Sequence, residues 1–168
     1  MYYITQYPSP LGPIGLACSE EALVALWLPG QPPFGKKAEV LSSAAEHPIL
    51  ARTAGWLDRY FAGETPAAGE LPLAPEGTAF RKLIWELLLE IPYGEISTYG
   101  QLAKLAAERL GKGKMSAQAV GGAVGSNPIS IIIPCHRCLG AEGRLTGYAG
   151  GLHLKRFLLD LEKIPYKD

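Results

Sequence analysis

The sequence predicts a mixed α/β protein of the α+β kind, with a small antiparallel sheet followed by a mainly helical second half. Three observations carry this. Strand-like runs crowd residues 2–28, and apolar residues recur at helical spacing over residues 46–61, 78–91 and 152–162. Between the two patterns, residues 65–77 are rich in proline, glycine and alanine and show no period. A chain of 168 residues can fill one core or two small ones. The composition shift places domains at 1–77 and 78–168.

Residues 2–7, 14–18 and 23–28 are separated by Pro8-Ser9-Pro10-Leu11-Gly12-Pro13 and by Ser19-Glu20-Glu21, the pattern of a small antiparallel meander. Gln31-Pro32-Pro33-Phe34-Gly35 closes it as a loop. A helix over 46–61 then aligns Ile49, Leu50, Ala54, Leu57, Tyr60 and Phe61, with Gly63 as its stop. His47, before Pro48 at the helix start, reads as structural, and Cys18, inside an apolar run, as a core residue. This half carries no catalytic constellation.

Thr78 caps a helix reaching Ile91, with Phe80, Leu83, Ile84, Leu87, Leu88 and Ile91 on one face. Pro92-Tyr93-Gly94 ends it. Ser97 or Thr98 caps the next helix, 99–107. The basic turn Gly111-Lys112-Gly113-Lys114 follows, and Ser116 caps a third helix, 117–125. The order is that of a helix-turn-helix, although two packed core helices give the same pattern. On the third helix Ala117, Val120 and Val124 share one face, while Gln118, Gly122 and Gly125 leave the opposite face almost without side chains. Each glycine costs a helix about 1 kcal/mol relative to alanine. A close contact, with a neighbouring helix or a DNA groove, is expected to compensate. The last helix, 152–162, is expected to bury Leu154, Phe157, Leu158 and Leu161, with Glu162 bordering that face and His153 exposed near its start.

Asn127-Pro128 turns the chain into Ser130-Ile131-Ile132-Ile133, which has the character of a short buried strand. Pro134 cannot extend a ladder, so Cys135 is expected at a strand end. A lone cysteine after a buried strand is ordinarily an inert small hydrophobe. His136 and Arg137 change that balance, because an adjacent base or cation lowers the cost of the thiolate, which is the nucleophilic form.

Composition excludes several classes. No stretch approaches the roughly 18 apolar residues of a membrane span, and residues 1–6 lack the basic start and apolar core of a signal peptide. Three cysteines, Cys18, Cys135 and Cys138, form no even disulfide framework, and a cytoplasmic setting is expected. Cys135-His136-Arg137-Cys138 invites a zinc or redox reading. Zinc needs a second ligand pair that is missing, and a thioredoxin-type pair should open a helix where 139–143 reads as a turn. The formal net charge is zero. Residues 1–77 nonetheless hold four Lys and Arg against eight acids, and residues 78–168 twelve against eight. Lys104, Arg109, Lys112 and Lys114 cluster near the basic turn, compatible with phosphate contact.

Taken in order, Pro134-Cys135-His136-Arg137, the preceding Gly121-Gly122-Ala123-Val124-Gly125-Ser126-Asn127-Pro128 and the following Gly147-Tyr148-Ala149-Gly150-Gly151 resemble the O6-alkylguanine-DNA alkyltransferases. The similarity continues through Phe80, Trp85, Ile91-Pro92-Tyr93-Gly94 and Thr98-Tyr99, and on to Leu158-Leu159 and Glu162. It is close over 78–163 and holds only in outline before that.

The resemblance implies a ribonuclease-H-like N-terminal scaffold and a winged-helix-like C-terminal domain with a helix-turn-helix. It implies irreversible, stoichiometric transfer of an alkyl or methyl group from O6 of guanine, with O4 of thymine as a further candidate, to Cys135. His136, through one water, takes the thiol proton, Glu162 orients His136, and Tyr99 donates to the departing guanine. Asn127 holds the turn before the thiol, and Arg137 anchors backbone. Ser116, Gln118, Ala119 and Gly122 would meet the DNA minor groove, Gln118 replacing the flipped base. Tyr99, Cys138, Tyr148, Ala149 and Gly150 would line the base pocket. The implied partner is double-stranded DNA containing O6-alkylguanine, with no cofactor, no metal, no membrane and no obligatory protein partner for a monomer. One feature departs from the family pattern, while main-chain reading of the base tolerates the side chains at two wall positions. Gln118 stands where arginine is usual and lacks its charge and planar stacking surface, and Cys138 and Ala149 occupy wall positions. The alternative function is a non-catalytic sensor that binds and flips the lesion, although such proteins typically carry tryptophan in place of the nucleophile.

Overall fold

Strand-forming residues at the start of the chain build β1 (Tyr3–Ser9), β2 (Gly12–Cys18) and β3 (Leu23–Trp27), an antiparallel meander, in the computed structural model, which describes residues 1–168. Only Pro10 and Leu11 lie between the paired Ser9 and Gly12. Ser9 Oγ donates to the Gly12 carbonyl at 2.6 Å and accepts from Leu11 N–H, while Gly12 takes a φ of 104°, a region glycine enters without steric cost. A fourth strand, β4 (Glu39–Val40), pairs in parallel with β1, giving the order β3-β2-β1-β4. Two exposed residues leave no periodic trace in a sequence, so β4 has no signal there.

The helix after the sheet, α1 (Pro48–Phe61), starts two residues later than its periodicity suggests, because Ala44–Glu46 form a separate 3-10 turn capped by Ser43. His47 is indeed structural: its Nδ1 accepts from Ile49 N–H at 3.1 Å, and Pro48 occupies the first turn. The helix buries Leu50, Trp56, Leu57 and Tyr60 and packs on the sheet. On a second cluster Ala17, Val24 and Ala25 meet Tyr2, Ile4, Trp27 and Phe34. Coverage of both faces explains why β2 reads as a continuous apolar run. A Cβ at Gly15 would lie 1.9 Å from the Trp27 ring, so the indole can lie there only over glycine. These elements, Met1–Glu76 with Pro128–Ser130, form one compact unit. Leu26 bridges Ile129 in parallel, which draws the later segment into this unit.

The second unit, Gly77–Asn127 with Ile131–Asp168, contains α2 (Ala79–Leu89), α3 (Tyr99–Arg109), α4 (Ala117–Gly125) and α5 (Leu152–Leu161). Thr78, Thr98 and Ser116 accept backbone N–H groups at the first three N-termini. Of the two cap candidates before α3, Thr98 is the one used. The buried face of α2 is Ile84, Trp85, Leu87 and Leu88, while Phe80 and Leu83 are half-buried. The Trp85 indole N–H donates to the Ala123 carbonyl of α4 at 2.9 Å, so this ring replaces them in the core. On α4, Val120, Ala123 and Val124 are buried and Ala117 is exposed, correcting its expected inward position. On α5, Leu154, Lys155, Leu158 and Leu159 are buried, whereas Phe157 is exposed and Leu161 half-buried. The buried stripe is rotated toward Lys155 and Leu159.

The largest departure concerns 130–133. No strand forms there, and the chain turns. Ile131 takes a φ of 68° while only 1% exposed, an outlier for a β-branched residue that costs about 1–3 kcal/mol. Burial of Ile131, Ile132 and Ile133 gives the run its strand-like composition, but the residues lie in a turn. A two-residue ladder then joins β5 (Ser97–Thr98) to β6 (Cys138–Leu139), in parallel.

Candidate active site

Cys135 is placed by a chain of backbone constraints, not by a strand end. Pro134 has φ −82° and ψ 64°, and Cys135 N–H donates to the Ile133 carbonyl at 2.8 Å, the geometry of an inverse γ-turn. The same carbonyl accepts Asn127 Nδ2–H at 2.8 Å. Asn127 thus ties the end of α4 to the turn before the thiol. Cys135 opens a one-turn 3-10 helix, Cys135–Arg137, and its side chain is buried, with Sγ 4.0 Å from the Tyr148 hydroxyl.

His136 and Glu162 are fully buried side chains, with His136 Nε2 and Glu162 Oε2 2.5 Å apart. The other carboxylate oxygen accepts Arg137 Nε–H at 2.8 Å and Gly94 N–H at 3.2 Å. Arg137 also donates to the Ile91 carbonyl at 2.8 Å and lies over the Tyr93 ring. The Ile91-Pro92-Tyr93-Gly94 turn is therefore the cradle of this carboxylate, and the α5 terminus supplies the carboxylate itself. Burial would raise the Glu162 pKa, but His136 and Arg137 overcome it and hold the group down to about 2. Burial lowers the His136 pKa against the pull of Glu162. His136 Nε2 faces the carboxylate, and Nδ1 is the buried nitrogen that has no partner in the protein.

Burial raises the Cys135 pKa, while hydrogen bonds from Asn127 and Tyr148 and the Lys155 charge oppose it. Lys155 is a buried cation of the site that the sequence reading missed. It is fully buried on α5, donates Nζ–H to the Cys138 carbonyl at 2.8 Å and sits 6.0 Å from the centre of the Tyr148 ring. Its signal was available: position 155 lies three before Leu158 and four before Leu159, on the apolar stripe, where a charge is out of place.

The β5–β6 ladder sets Tyr99, first residue of α3, beside the segment bearing Cys138. The Tyr99 hydroxyl accepts from Thr146 Oγ1 at 3.2 Å, leaving its own proton to give, and burial raises its pKa. Cys138 is buried, while Tyr148, Ala149 and Gly150 lie in the loop before α5, where Gly150 and Gly151 have φ of 93° and 112°. Gln118, Ala119 and Gly122 are exposed on α4. Ser116 serves first as the helix cap, accepting Ala119 N–H at 3.2 Å. No cluster of three or more His, Cys, Asp or Glu side chains suited to a metal is present.

A buried cysteine followed directly by the histidine of a buried imidazole–carboxylate pair is an arrangement able to support nucleophilic chemistry at a thiol. Comparison with known proteins makes this specific. Residues 79–164 match the DNA binding domain of 6-O-methylguanine DNA methyltransferase, and residues 1–75 its ribonuclease-like domain. A methylated-DNA–protein-cysteine methyltransferase of Haemophilus influenzae is 47% identical, the alignment covering 99% of this chain and 89% of that one. One of Methanosarcina acetivorans is 49% identical over 96% and 98%. The crystal structure of Mycobacterium tuberculosis OGT in complex with DNA aligns with a TM-score of 0.84 at 39% identity, covering 96% of this chain and 92% of that one. The chain belongs to the methylated-DNA–protein-cysteine methyltransferase family.

Proposed function

We propose that the protein repairs DNA directly, by irreversible, stoichiometric transfer of the alkyl group from O6 of guanine to Cys135. The observation that supports this most strongly is the buried Cys135, His136 and Glu162 set in which His136 Nδ1 is left unpartnered. A base inside a duplex is beyond the reach of a buried thiol, so the nucleotide leaves the stack at a cost of a few kcal/mol. The exposed face of α4 enters the minor groove, α3 and α4 acting as a helix-turn-helix, and Gln118 fills the gap left by the base. Exposed Lys112 and Lys114 supply cations for the phosphates. The flipped guanine enters a pocket bordered by Tyr99, Cys138, Tyr148, Ala149 and Gly150.

His136 then takes the Cys135 proton at Nδ1 through one water, and Glu162 stabilises the imidazolium that forms. The thiolate attacks the alkyl carbon. The S–C bond forms as the C–O6 bond breaks, the electron pair stays on guanine, and Tyr99 donates its proton toward the departing base. Lys155 lowers the cost of the thiolate. A thioether is not reversed by any group in the site, so each molecule reacts once. A reagent of this kind needs no second subunit, and a monomer acting in the cytoplasm suits three free cysteines.

The test uses a duplex with one O6-methylguanine. Restored guanine should rise to one per protein molecule and stop, and Cys135→Ser should transfer nothing while still binding the lesion duplex. Equal transfer by Cys135→Ser would refute the nucleophile. Lesion binding by the unaltered protein without any transfer would give the sensor reading instead.

A further inference from the structure

Alkyl transfer leaves one buried thiol of the site without a chemical task. Cys138 is fully buried, and its backbone N–H donates to the Cys135 carbonyl, closing the one-turn 3-10 helix. Side chains three residues apart eclipse in such a turn. The ends of a closed four-residue turn lie within about 7 Å, and a disulfide spans Cα separations of about 4.4–6.8 Å. The two sulfurs share surroundings as well. Lys155 Nζ donates to the Cys138 carbonyl at 2.8 Å and lies 6.0 Å from the centre of the Tyr148 ring, whose hydroxyl is 4.0 Å from Cys135 Sγ. Burial holds the Cys138 thiol up to about 12, with the Lys155 charge opposing it, so Cys138 is protonated at neutral pH and gives up its proton in the step that forms the S–S bond.

We propose that Cys138 is a resolving thiol, which converts a peroxide-oxidised Cys135 into a reversible Cys135–Cys138 disulfide and so preserves the unspent protein. This rests on Cys135 being the reactive nucleophile. Hydrogen peroxide transfers one oxygen to the Cys135 sulfur, giving the sulfenic acid, and leaves as water. The Cys138 sulfur then attacks the Cys135 sulfur. The S–S bond forms, the S–O bond breaks, and the departing hydroxide takes the Cys138 proton as a second water. One peroxide is reduced by two electrons and the two thiols are oxidised by two. Without a resolving partner the sulfenic acid proceeds to sulfinic and sulfonic acids, which simple thiols do not reverse. For a single-use reagent that loss is final. An alkylated Cys135 has no S–H to oxidise, so only unspent protein enters the disulfide state.

Trypsin cuts after Arg137, between the two cysteines, and therefore provides the readout. Full-length protein is treated with limiting hydrogen peroxide, alkylated to block remaining thiols, digested and examined by peptide mass. Peptides 115–137 and 138–144 should appear joined, with loss of two hydrogens, and dithiothreitol should separate them. Transfer activity should fall with peroxide and return on reduction. In Cys138→Ala the 115–137 peptide should instead gain two or three oxygens, and reduction should restore little of that variant's own starting activity. Accumulation of sulfinic acid on Cys135 of the unaltered protein, with Cys138 still free, would overturn the proposal even if the variant fails to fold. The peptide readout needs no DNA, so failure of alkyl transfer and failure of disulfide formation are seen separately.

Discussion

Three donors converge on Glu162: His136, Arg137 and the Gly94 N–H. The sequence set Glu162 only at the border of an apolar face, because burial of a terminal helix residue depends on the turn that folds over it. The consequences for acid stability have a definite sign. Glu162 sits at about 2 in the fold against 4.5 otherwise, so its contribution is complete above about 4.5 and is lost as pH falls toward about 2. His136 is lowered from 6.5; the unfolded chain takes that proton first, so stability also declines as pH falls below 6.5. Urea midpoints should therefore drop steadily on acidification from neutrality, and a flat profile would contradict the pair. Glu162→Gln should cost about 3–5 kcal/mol, because it leaves a largely buried guanidinium without its counter-charge. In the proposed reaction Lys155 lowers the cost of the Cys135 thiolate. Lys155→Met should keep the fold and move the pH–rate profile for transfer to higher pH, lowering the rate at neutrality about tenfold. An unmoved profile would remove Lys155 from the chemistry.

At the scale of elements, α4 carries two conflicting demands. Its inner face packs Val120, Ala123 and Val124, and its outer face is stripped to Gln118, Ala119, Gly122 and Gly125. A Cβ at Gly122 would meet nothing within 4 Å. Gly122→Ala should therefore stabilise the protein by up to about 1 kcal/mol and yet weaken binding to lesion duplex, measured by thermal melting and by titration. Stabilisation with unchanged DNA affinity would show that this face does not meet the groove. Most elements were legible because caps and apolar spacing agree: Thr78, Thr98 and Ser116 start helices where they should. The isoleucine run misled because burial and strand propensity share the same residues. Only the positive φ of Ile131 and the Asn127 bond to the Ile133 carbonyl distinguish a buried turn from a strand. The β5–β6 ladder, two residues a side, was invisible for lack of length.

For the molecule as a whole, the ordered motifs over 78–163 revealed the family and the nucleophile, and the structure adds how the parts are tied together. Asn127 fixes the turn before Cys135, the 91–94 turn and α5 enclose Glu162, and the β5–β6 ladder brings Tyr99 beside the segment bearing Cys138. None of these links follows a local period, so no sequence pattern could have displayed them. The net charge of zero is the sum of an acidic first half and a basic second half, which the sequence itself displays once it is divided. The most direct test is intact and peptide mass spectrometry after incubation with a duplex containing O6-methylguanine, beside an unmodified duplex. One added methyl group is expected, located on Cys135 within the tryptic peptide 115–137, with plain guanine restored in the DNA. An unmodified Cys135 in protein whose thiol is reduced and whose lesion binding is proven would contradict that expectation.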